Sequence, residues 1–387
     1  MGQGSCREVS MRRVVHIITK LELGGAQKNT LYTLEHLEPG VTGILICGPG
    51  GILDKEALGS GRYITRFCPF LVREVNPLLD AAALLWIFFY LAGIKPGVIH
   101  THSSKAGILG RWAAYFAGVK SVLHTFHGFG FTPLQSPPVR KAFILLEKLT
   151  AGITDILIAV AEANVDKALS LGIGSPAKYR VIRSGIESGK FEKKLGNDTI
   201  RKRFGISPRV LLVGNISCFK PQKGLEDFIE ACRRLSLLGD YSFILAGDGR
   251  LGNRLRKQVY DSGLEGRLFM PGWVGNPGEL IPELDLMLHT AYFEGLPRVL
   301  LEAMASGVPV VSSNVDGVAD VIRHGVNGFL ASPGDIDSMV KYSHNLLKNP
   351  ELRARMSRQQ RKSFRPEFDI KTMSGRLNAL YREIEGL

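Results

Sequence analysis

Two glutamates, Glu294 and Glu302, stand eight positions apart in TAYFEGLPRVLLEAMASGVPVVSS, residues 290–313. Between them, Gly295-Leu296-Pro297 reads as a turn into a helix, because a proline in a first helical turn loses no bond and arrives with its φ preset. Gly307 stands where a C-cap glycine belongs, and residues 308–311 read as a short buried strand. This places Glu294 in the loop before the helix and Glu302 in its second turn. First-turn amides near Leu296 have no partner within a helix and favour an anion such as a diphosphate. Carboxylates that grip hydroxyls beside an anion site suit a nucleotide sugar. The competing reading is a surface helix with an exposed Arg298–Glu302 pair at i,i+4. Against it, Leu300, Leu301, Ala303 and Met304 surround Glu302 with apolar neighbours, and a carboxylate there needs partners.

Other residues could complete such a pocket. In VGNISCFKPQKG, residues 213–224, Lys220 and Lys223 stand on a loop after a strand. Two cations there could neutralise a leaving diphosphate, although a solvated basic loop would look the same. Gly24-Gly25-Ala26-Gln27 opens a helix after the first strand, where glycine lets backbone approach a phosphate or an acceptor. His100, His102, His124 and His127 end two strands, in VIHTHSSKAG and VLHTFHG. No carboxylate or cysteine is interleaved with them, so no metal site is expected. Gly247-Asp248-Gly249-Arg250-Leu251-Gly252 is a literal G-x-G-x-x-G after a strand, the one signal for a dinucleotide. It lies deep in the chain, where such glycines often serve packing alone. Trp273 and Val274 follow another strand and could border a base, or Trp273 could be core.

These motifs need strand ends to hold them. Residues 13–19, 41–47, 98–101, 121–125 and 156–159 read as strands, with helices over 26–36 and 105–117. A second series begins at Val210 with VLLVGNI, YSFILAG, RLFMPGW, LDLMLHT and GVPVVSS, again separated by helices. Such alternation predicts α/β structure with two doubly wound parallel sheets. The expected division is a domain over 11–187, a polar linker over 188–207, a second domain over 208–363, and a terminal amphipathic helix within 364–387. Ligands of such sheets bind beyond the carboxyl ends of the strands, and every motif above falls there.

A chain of 387 residues with 45% hydrophobic content is natural for two soluble domains. Five cysteines without C-x-x-C spacing argue for reduced thiols and against a disulfide or zinc framework. Residues 1–10 are polar, with no signal-peptide core, and read as an extension upstream of Met11. MGQGSC misses the myristoylation pattern, since Cys6 stands where Ser or Thr is wanted. The net charge of +13 suits nucleic acid, an anionic membrane surface or anionic substrates. No RNP-like pattern, zinc finger or recognition helix supports nucleic acid. Residues 84–94, LLWIFFYLAGI, are too short a run to span a bilayer and read as a helix buried on a sheet. The alternative is an apolar face docking on a membrane.

The glutamate segment resembles the E-x7-E motif of retaining glycosyltransferases of family 4, which have the GT-B fold: two Rossmann-like domains facing a central cleft. The resemblance covers residues 13–387. It implies that Glu294 contacts hydroxyls of the donor sugar and Glu302 holds the ribose. GGAQ resembles the family loop near the diphosphate and acceptor, which assigns Gly24 and Gly25. His127, in the family's His-Gly, would contact the sugar, with His100, His102 and Lys105 as acceptor-side candidates. Lys223 before Gly224, with Lys220, would bind the diphosphate beside the Leu296 amide; Gly247, Trp273 and Val274 would border the base. The sequence departs from the family at Cys218, where many members carry an arginine. The terminal helix would return to the first domain. Together these imply a cytoplasmic, metal-independent retaining hexosyltransferase of bacterial surface-polysaccharide assembly, with a peripheral contact at the plasma membrane as a further expectation. Its donor would be a UDP-linked sugar and its acceptor a lipid-linked glycan; no other cofactor is expected. The alternatives are a nucleotide-sugar epimerase on the same fold, an NAD-dependent oxidoreductase using Gly247 to Gly252, and a carbohydrate-binding protein without chemistry.

Overall fold

A computed structural model of the chain describes residues 12–191 and 199–385. The expectations for residues 1–10 and for Cys6 therefore fall outside the described residues. The chain forms two compact units. The first contains residues up to 159, residues 168–182 and the tail from 374; the second contains residues 160–167 and 183–373.

In the first unit the strands are β1 (Arg12–Lys20), β2 (Val41–Gly48), β3 (Tyr63–Phe67), β4 (Val98–His102), β5 (Ser121–Phe126), β6 (Ile156–Ala159) and β7 (Tyr179–Val181). They form one parallel sheet in the order β3-β2-β1-β4-β5-β6-β7. In the second unit they are β8 (Leu211–Ile216), β9 (Tyr241–Ala246), β10 (Leu268–Gly272), β11 (Leu286–His289), β12 (Val310–Ser313) and β13 (Gly328–Ala331). Their parallel order is β10-β9-β8-β11-β12-β13. Both sheets share one logic. The chain enters mid-sheet, steps outward to one edge, then returns across its first strand and builds the other half. The reversal lies between β1 and β4 in one unit and between β8 and β11 in the other, and each is a topological switch point. Central strands are covered on both faces, so they read as unbroken apolar runs: Val14, Val15, Ile17 and Ile18 of β1 are fully buried. Edge strands β3, β7 and β13 lack that signature.

Two elements differ from the sequence reading. The polar stretch over 188–207 is not a free linker where it is described. Phe191, Ile200 and Ile206 enter the core of the second unit. The carboxylate of Glu283 accepts from the amides of Ile200 and Arg201, each at 3.0 Å, capping the short Thr199–Arg203 helix. Arg201 is buried there too, paired with Asp285 at 2.7 Å. Residues 84–94 belong to a longer helix, Pro77–Ile94, started by Asn76, whose side chain accepts from the amides of Leu78 and Leu79. That helix is long and apolar enough to cross a membrane by length and composition. It is not the fully buried helix expected from its sequence. Only the stripe Ala83, Ile87, Leu91 is buried, while Leu85 and Phe89 are 53% and 68% exposed. The stripe packs in the first unit's core, and a spanning helix would have to abandon that packing. Finally, the Ile370–Glu385 helix belongs to the first unit from Ser374 onward, with Leu377, Leu380 and Tyr381 buried.

Beneath the first sheet a guanidinium is wholly enclosed. Arg111 donates to Glu147 Oε2 at 2.7 Å, to the Gly107 carbonyl at 2.8 Å and to Thr154 Oγ1 at 3.3 Å. Removing one partner of a buried pair strands the other in a medium that solvates it poorly. Arg111→Met is therefore expected to cost about 3–5 kcal/mol, and the double change Arg111→Met, Glu147→Leu markedly less. Equilibrium urea unfolding of the three proteins checks this.

Candidate active site

The second unit builds its site on its switch point. The loop leaving β8 carries Lys220 and Lys223, and the loop leaving β11 carries Glu294. Three ties stitch these loops together. The Tyr292 amide donates to the Gln222 carbonyl at 2.8 Å, and Thr290 Oγ1 donates to the Lys223 carbonyl at 3.0 Å. Gly224 sits at φ 57°, where a Cβ would lie 2.2 Å from the Thr290 carbonyl oxygen. Only glycine permits both the left-handed backbone and that approach. The outcome is that the Lys223 ammonium rests against Glu294 Oε1 as an ion pair.

Glu294 is nine-tenths buried, with 10% of its side chain exposed. Burial alone would raise its pKa, but Lys223 and then His289 outweigh that and bring it down to about 2. His289, the last residue of β11, places Nε2 at 3.4 Å from Oε1 and Nδ1 at 2.9 Å from Ser312 Oγ on β12. Both contacts fall on Oε1, so Oε2 remains an acceptor. The Glu294 backbone is fixed as well: its amide donates to Asp316 Oδ2 at 3.0 Å, and Lys167 donates to Asp316 Oδ1 at 2.7 Å. Asp316 holds φ at 35°, an uncommon conformation for a non-glycine residue. His289, Asp316 and Lys167 were not legible as site residues. Lys167 lies 149 positions from its partner, and neither His289 nor Asp316 belongs to a recognisable spacing.

The Arg298–Ser306 helix follows, ended by Gly307 at φ 69°. Pro297 is its N-cap rather than its first residue, and no side chain caps the turn. In its first turn the Leu300 amide donates to the Pro297 carbonyl at 3.0 Å, and no side chain caps the amides before it, next to Leu296. Glu302 is buried at 9% exposure, and burial raises its pKa against the pull of Arg298. The exposed i,i+4 pair does not describe it. Arg298 is itself largely enclosed, which lowers its pKa, and its Nε is buried without a hydrogen-bond partner. Arg298 thus joins the site as a residue first read only as a surface cation.

The glycine-rich turn has a packing role. A Cβ on Gly247 would lie 1.8 Å from the Ser217 carbonyl oxygen, and one on Gly249 would lie 2.8 Å from that of Phe219. The amides of Ser217 and Phe219 bond the carbonyls of Ala246 and Asp248. The turn is filled by the loop after β8, which is not the open cradle a dinucleotide would need. Trp273 is 38% exposed and so is not core, while Val274 packs partly against the second unit's core.

In the first unit the switch point is also tied. Thr19 Oγ1 and Ser103 Oγ share a hydrogen bond of 2.8 Å, and the Ala106 amide donates to Thr19 Oγ1 at 3.2 Å. Ser103 has φ 61°. Gly24 is the extended N-cap of the Gly25–Glu35 helix, again without a side-chain cap. Lys105 is committed to Asp80 and to the Glu74 carbonyl. His100 and His102 are buried in the interior, so they do not line a surface pocket. Ring nitrogens of His16, His100 and His102 come within 4.8 Å of one another. That spacing could admit a metal, yet all six ring nitrogens already have partners. His16 bonds His102 and Tyr381, His100 bonds Tyr381 and Thr125, and His102 bonds His16 and His127. The cluster is satisfied as imidazoles alone.

Comparison with known proteins assigns the arrangement to a family. The description "Glycosyl transferases group 1" matches residues 196–363, and "Glycosyl transferase 4-like domain" matches residues 53–185. A UDP-Gal:alpha-D-GlcNAc-diphosphoundecaprenol alpha-1,3-galactosyltransferase of Escherichia coli is 30% identical over 334 residues, 85% of this chain and 86% of the relative. The chain is a group 1 glycosyltransferase. An N-acetyl-alpha-D-glucosaminyl L-malate synthase of Bacillus anthracis is 27% identical over 68% of each chain. Among solved structures, Anabaena Alr3699/HepE in complex with UDP and glucose superposes with TM-score 0.83 at 20% identity, over 96% of this chain and 100% of that one. The fold of the glycosyltransferase is GT-B, built from two Rossmann-like α/β domains. This membership removes the oxidoreductase reading.

The pairing of Glu294 predicts a pH signature. A carboxyl group whose pKa drops on folding, from 4.5 to about 2, contributes stability that is complete above 4.5 and lost as pH falls through about 2. The stability gap between the glycosyltransferase and its Glu294→Gln variant should be constant from pH 8 to 6 and shrink from pH 5 towards 3. Denaturant unfolding at fixed ionic strength measures it; a gap independent of pH would show that Glu294 is not held by charge.

Proposed function

We propose that this glycosyltransferase takes a hexose, with retention of configuration, from a UDP-sugar and transfers it to a hydroxyl of a lipid-linked glycan in bacterial surface-polysaccharide assembly. The observation that carries the proposal is the part-buried Lys223–Glu294 pair at the second unit's switch point. A carboxylate kept ionised can only accept hydrogen bonds, and sugar hydroxyls supply donors to Oε2. An ammonium beside it, together with Lys220 and the uncapped amides near Leu296, meets the charge that grows on a departing diphosphate. These groups supply that charge without a metal ion or a further cofactor. Glu302 suits ribose hydroxyls, since a buried carboxylate gains most from direct partners. Trp273 and Val274 would border the base. Gly24 and Gly25 allow close backbone approach on the first unit, and His127 would contact the sugar. No covalent nucleophile is assigned.

The donor and acceptor classes are supported by relatives. The Escherichia coli relative is named for UDP-Gal and a diphosphoundecaprenol acceptor, and the Anabaena neighbour was solved with UDP and glucose. A lipid-linked acceptor calls for contact with a membrane. The Pro137–Gly152 helix supports it, because it exposes Val139, Leu145, Leu146 and Leu149 beside Lys141 and Lys148. Apolar residues flanked by lysines suit the interface of an anionic bilayer. The proposed location is the cytoplasmic face of the plasma membrane.

Four measurements test this. UDP at about a hundred times its dissociation constant should stabilise the protein by about 2.7 kcal/mol, and a UDP-sugar panel with a polyprenyl-diphosphate glycan should give a transferred product. Glu294→Gln should lower kcat on the order of 100-fold or more while the fold is kept. Retained activity in that variant would remove Glu294 from the mechanism, and a sugar isomer released without acceptor would favour an epimerase. In co-sedimentation with phosphatidylglycerol vesicles, Leu146→Glu with Leu149→Glu should cut the bound fraction several-fold relative to the parent protein. Equal binding would exclude this helix as the docking face.

A further inference from the structure

The turn after β12 holds the backbone of Glu294 at two points. Asp316 Oδ2 accepts from the Glu294 amide at 3.0 Å, and the next residue, Gly317, donates its own amide to the Gly295 carbonyl at 3.0 Å. Two consecutive residues of one turn thus take the N–H of the glutamate and the C=O of the residue after it. The approach is close: a Cβ on Gly317 would lie 2.2 Å from the Gly295 carbonyl oxygen and 2.7 Å from Ala161 Cβ. Val315 and Val318 anchor the turn on either side. Both are buried in the core that also takes Leu296 and Leu300, the residues beyond the glutamate.

The Asp316 carboxylate is itself held. Lys167, on the Glu162–Ser170 helix, donates to its Oδ1 at 2.7 Å. The amide of Glu162, the first residue of that helix, donates to Asp320 Oδ2 at 2.8 Å, an oxygen that also accepts from Arg183 Nη1 at 2.6 Å. Asp316 and Asp320 each pair one backbone amide with one cation. The helix is therefore pinned to the turn at its start and again at Lys167. This arrangement keeps Asp316 at φ 35°, which is strained for a residue with a side chain. Glycine would adopt that backbone without strain, yet it would leave the Glu294 amide without this acceptor. The strained residue is the one that supplies the bond.

We propose that Asp316 and Gly317 form a backbone clamp that aims the Glu294 carboxylate, with Lys167 holding the Asp316 side chain in place. Fixing the main chain on both sides of Glu294 fixes where its side chain begins. From there Oε1 reaches Lys223 and His289, and Oε2 is kept as an acceptor. Asp316 acts through Glu294 and is a positioning residue. The consequence for transfer rests on the proposed role of Glu294; the clamp itself does not. A displacement of about 1 Å at a reacting centre can cost on the order of 100-fold in rate, so a tether on the glutamate's main chain bears on kcat.

Three variants of the full-length protein separate the acceptor, its charge and the close approach. Asp316→Gly removes the acceptor while relieving the backbone. Asp316→Asn keeps an acceptor oxygen and tolerates positive φ, and the part-exposed Lys167 can turn to solvent. Gly317→Ala crowds the Gly295 carbonyl. With a UDP-sugar and a polyprenyl-diphosphate glycan, Asp316→Gly and Gly317→Ala should lower kcat about 10-fold or more, and Asp316→Asn should recover most of that loss. Affinity for UDP, read as thermal stabilisation, should not fall, since the clamp serves the carboxylate and not the nucleotide. Parental kcat in Asp316→Gly, or Asp316→Asn as slow as Asp316→Gly, would overturn the clamp. A loss of UDP binding that matches the loss of kcat would overturn it too, since it would show collapse of the whole site. A second readout needs no turnover. The pH-dependent stability gap between the protein and Glu294→Gln should flatten when both carry Asp316→Gly, because a loosened carboxylate gains less from Lys223. A gap unchanged by Asp316→Gly would reject the clamp. If Asp316→Gly does not fold, Gly317→Ala decides in both measurements. Glu294→Gln keeps the two ideas apart. If it and Asp316→Gly both turn over like the parent, the reading of Glu294 fails and the stability gap still decides the clamp. If it is inactive and Asp316→Gly is unimpaired, the clamp alone fails.

Discussion

The constraint beneath everything else is the reversal of strand order within each parallel sheet. At a switch point the loops after two neighbouring strands leave towards opposite faces, and a gap must open between them. In the second unit that gap lies between β8 and β11, and it is where Lys223 and Glu294 meet. In the first unit it lies between β1 and β4, and it is where Thr19 meets Ser103. Chemistry was not placed there by sequence proximity: Lys223 and Glu294 are 71 positions apart. The sheet topology brings them within bonding distance, and backbone ties such as Tyr292 to Gln222 keep them there.

Apart from the Arg111–Glu147 pair of the first unit, the two units bury polar groups by different means. The second pairs charges. Glu294 has Lys223, Asp316 has Lys167, and Arg183 holds Asp320 and Glu367 at 2.6 and 2.8 Å. The first, around its sheet ends, uses neutral imidazoles and hydroxyls whose donors and acceptors close on one another. Charge pairs are strong but leave a costly remainder when one partner is drawn away. A neutral network carries little charge yet has direction, because each ring proton restricts the next. The first unit's design suits orientation of a group, and the second suits gripping an anion.

Much of this was legible in the sequence. Central strands announce themselves because burial on both faces demands unbroken apolar residues, as in RVVHIIT and YSFILA. The glutamate spacing, Gly307 and the Lys-Gly pair were visible because local geometry enforces them. The edge strands β3, β7 and β13 were missed, since half-exposed residues such as those of YITRF carry no periodic signal. The packed stretch around Ile200 and Ile206 was read as a linker because its charges outnumber its anchors. The exposed face of the Pro77–Ile94 helix was read as buried because its composition is apolar all round; only tertiary packing decides which stripe is covered. His16, His289, Lys167 and Tyr381 could not be found from sequence, because their partners are set by sheet order and by the path of the terminal helix.

Within the proposed function, Lys223 faces two anionic claimants. It is bound to Glu294, and a diphosphate would also draw it. A nucleotide alone would pull the ammonium away and leave a nine-tenths buried carboxylate with only His289 beside it, which is costly. A nucleotide sugar brings hydroxyl donors to the same carboxylate and compensates for the loss. Binding of the diphosphate and binding of the sugar are then coupled through one side chain, so that an intact donor is favoured over its spent nucleotide by more than the sugar's own contacts. The cysteine at 218, where the resemblance implies an arginine, strengthens the coupling. With fewer fixed cations on that loop, the diphosphate depends more on Lys223, and Lys223 can be released only when something else satisfies Glu294.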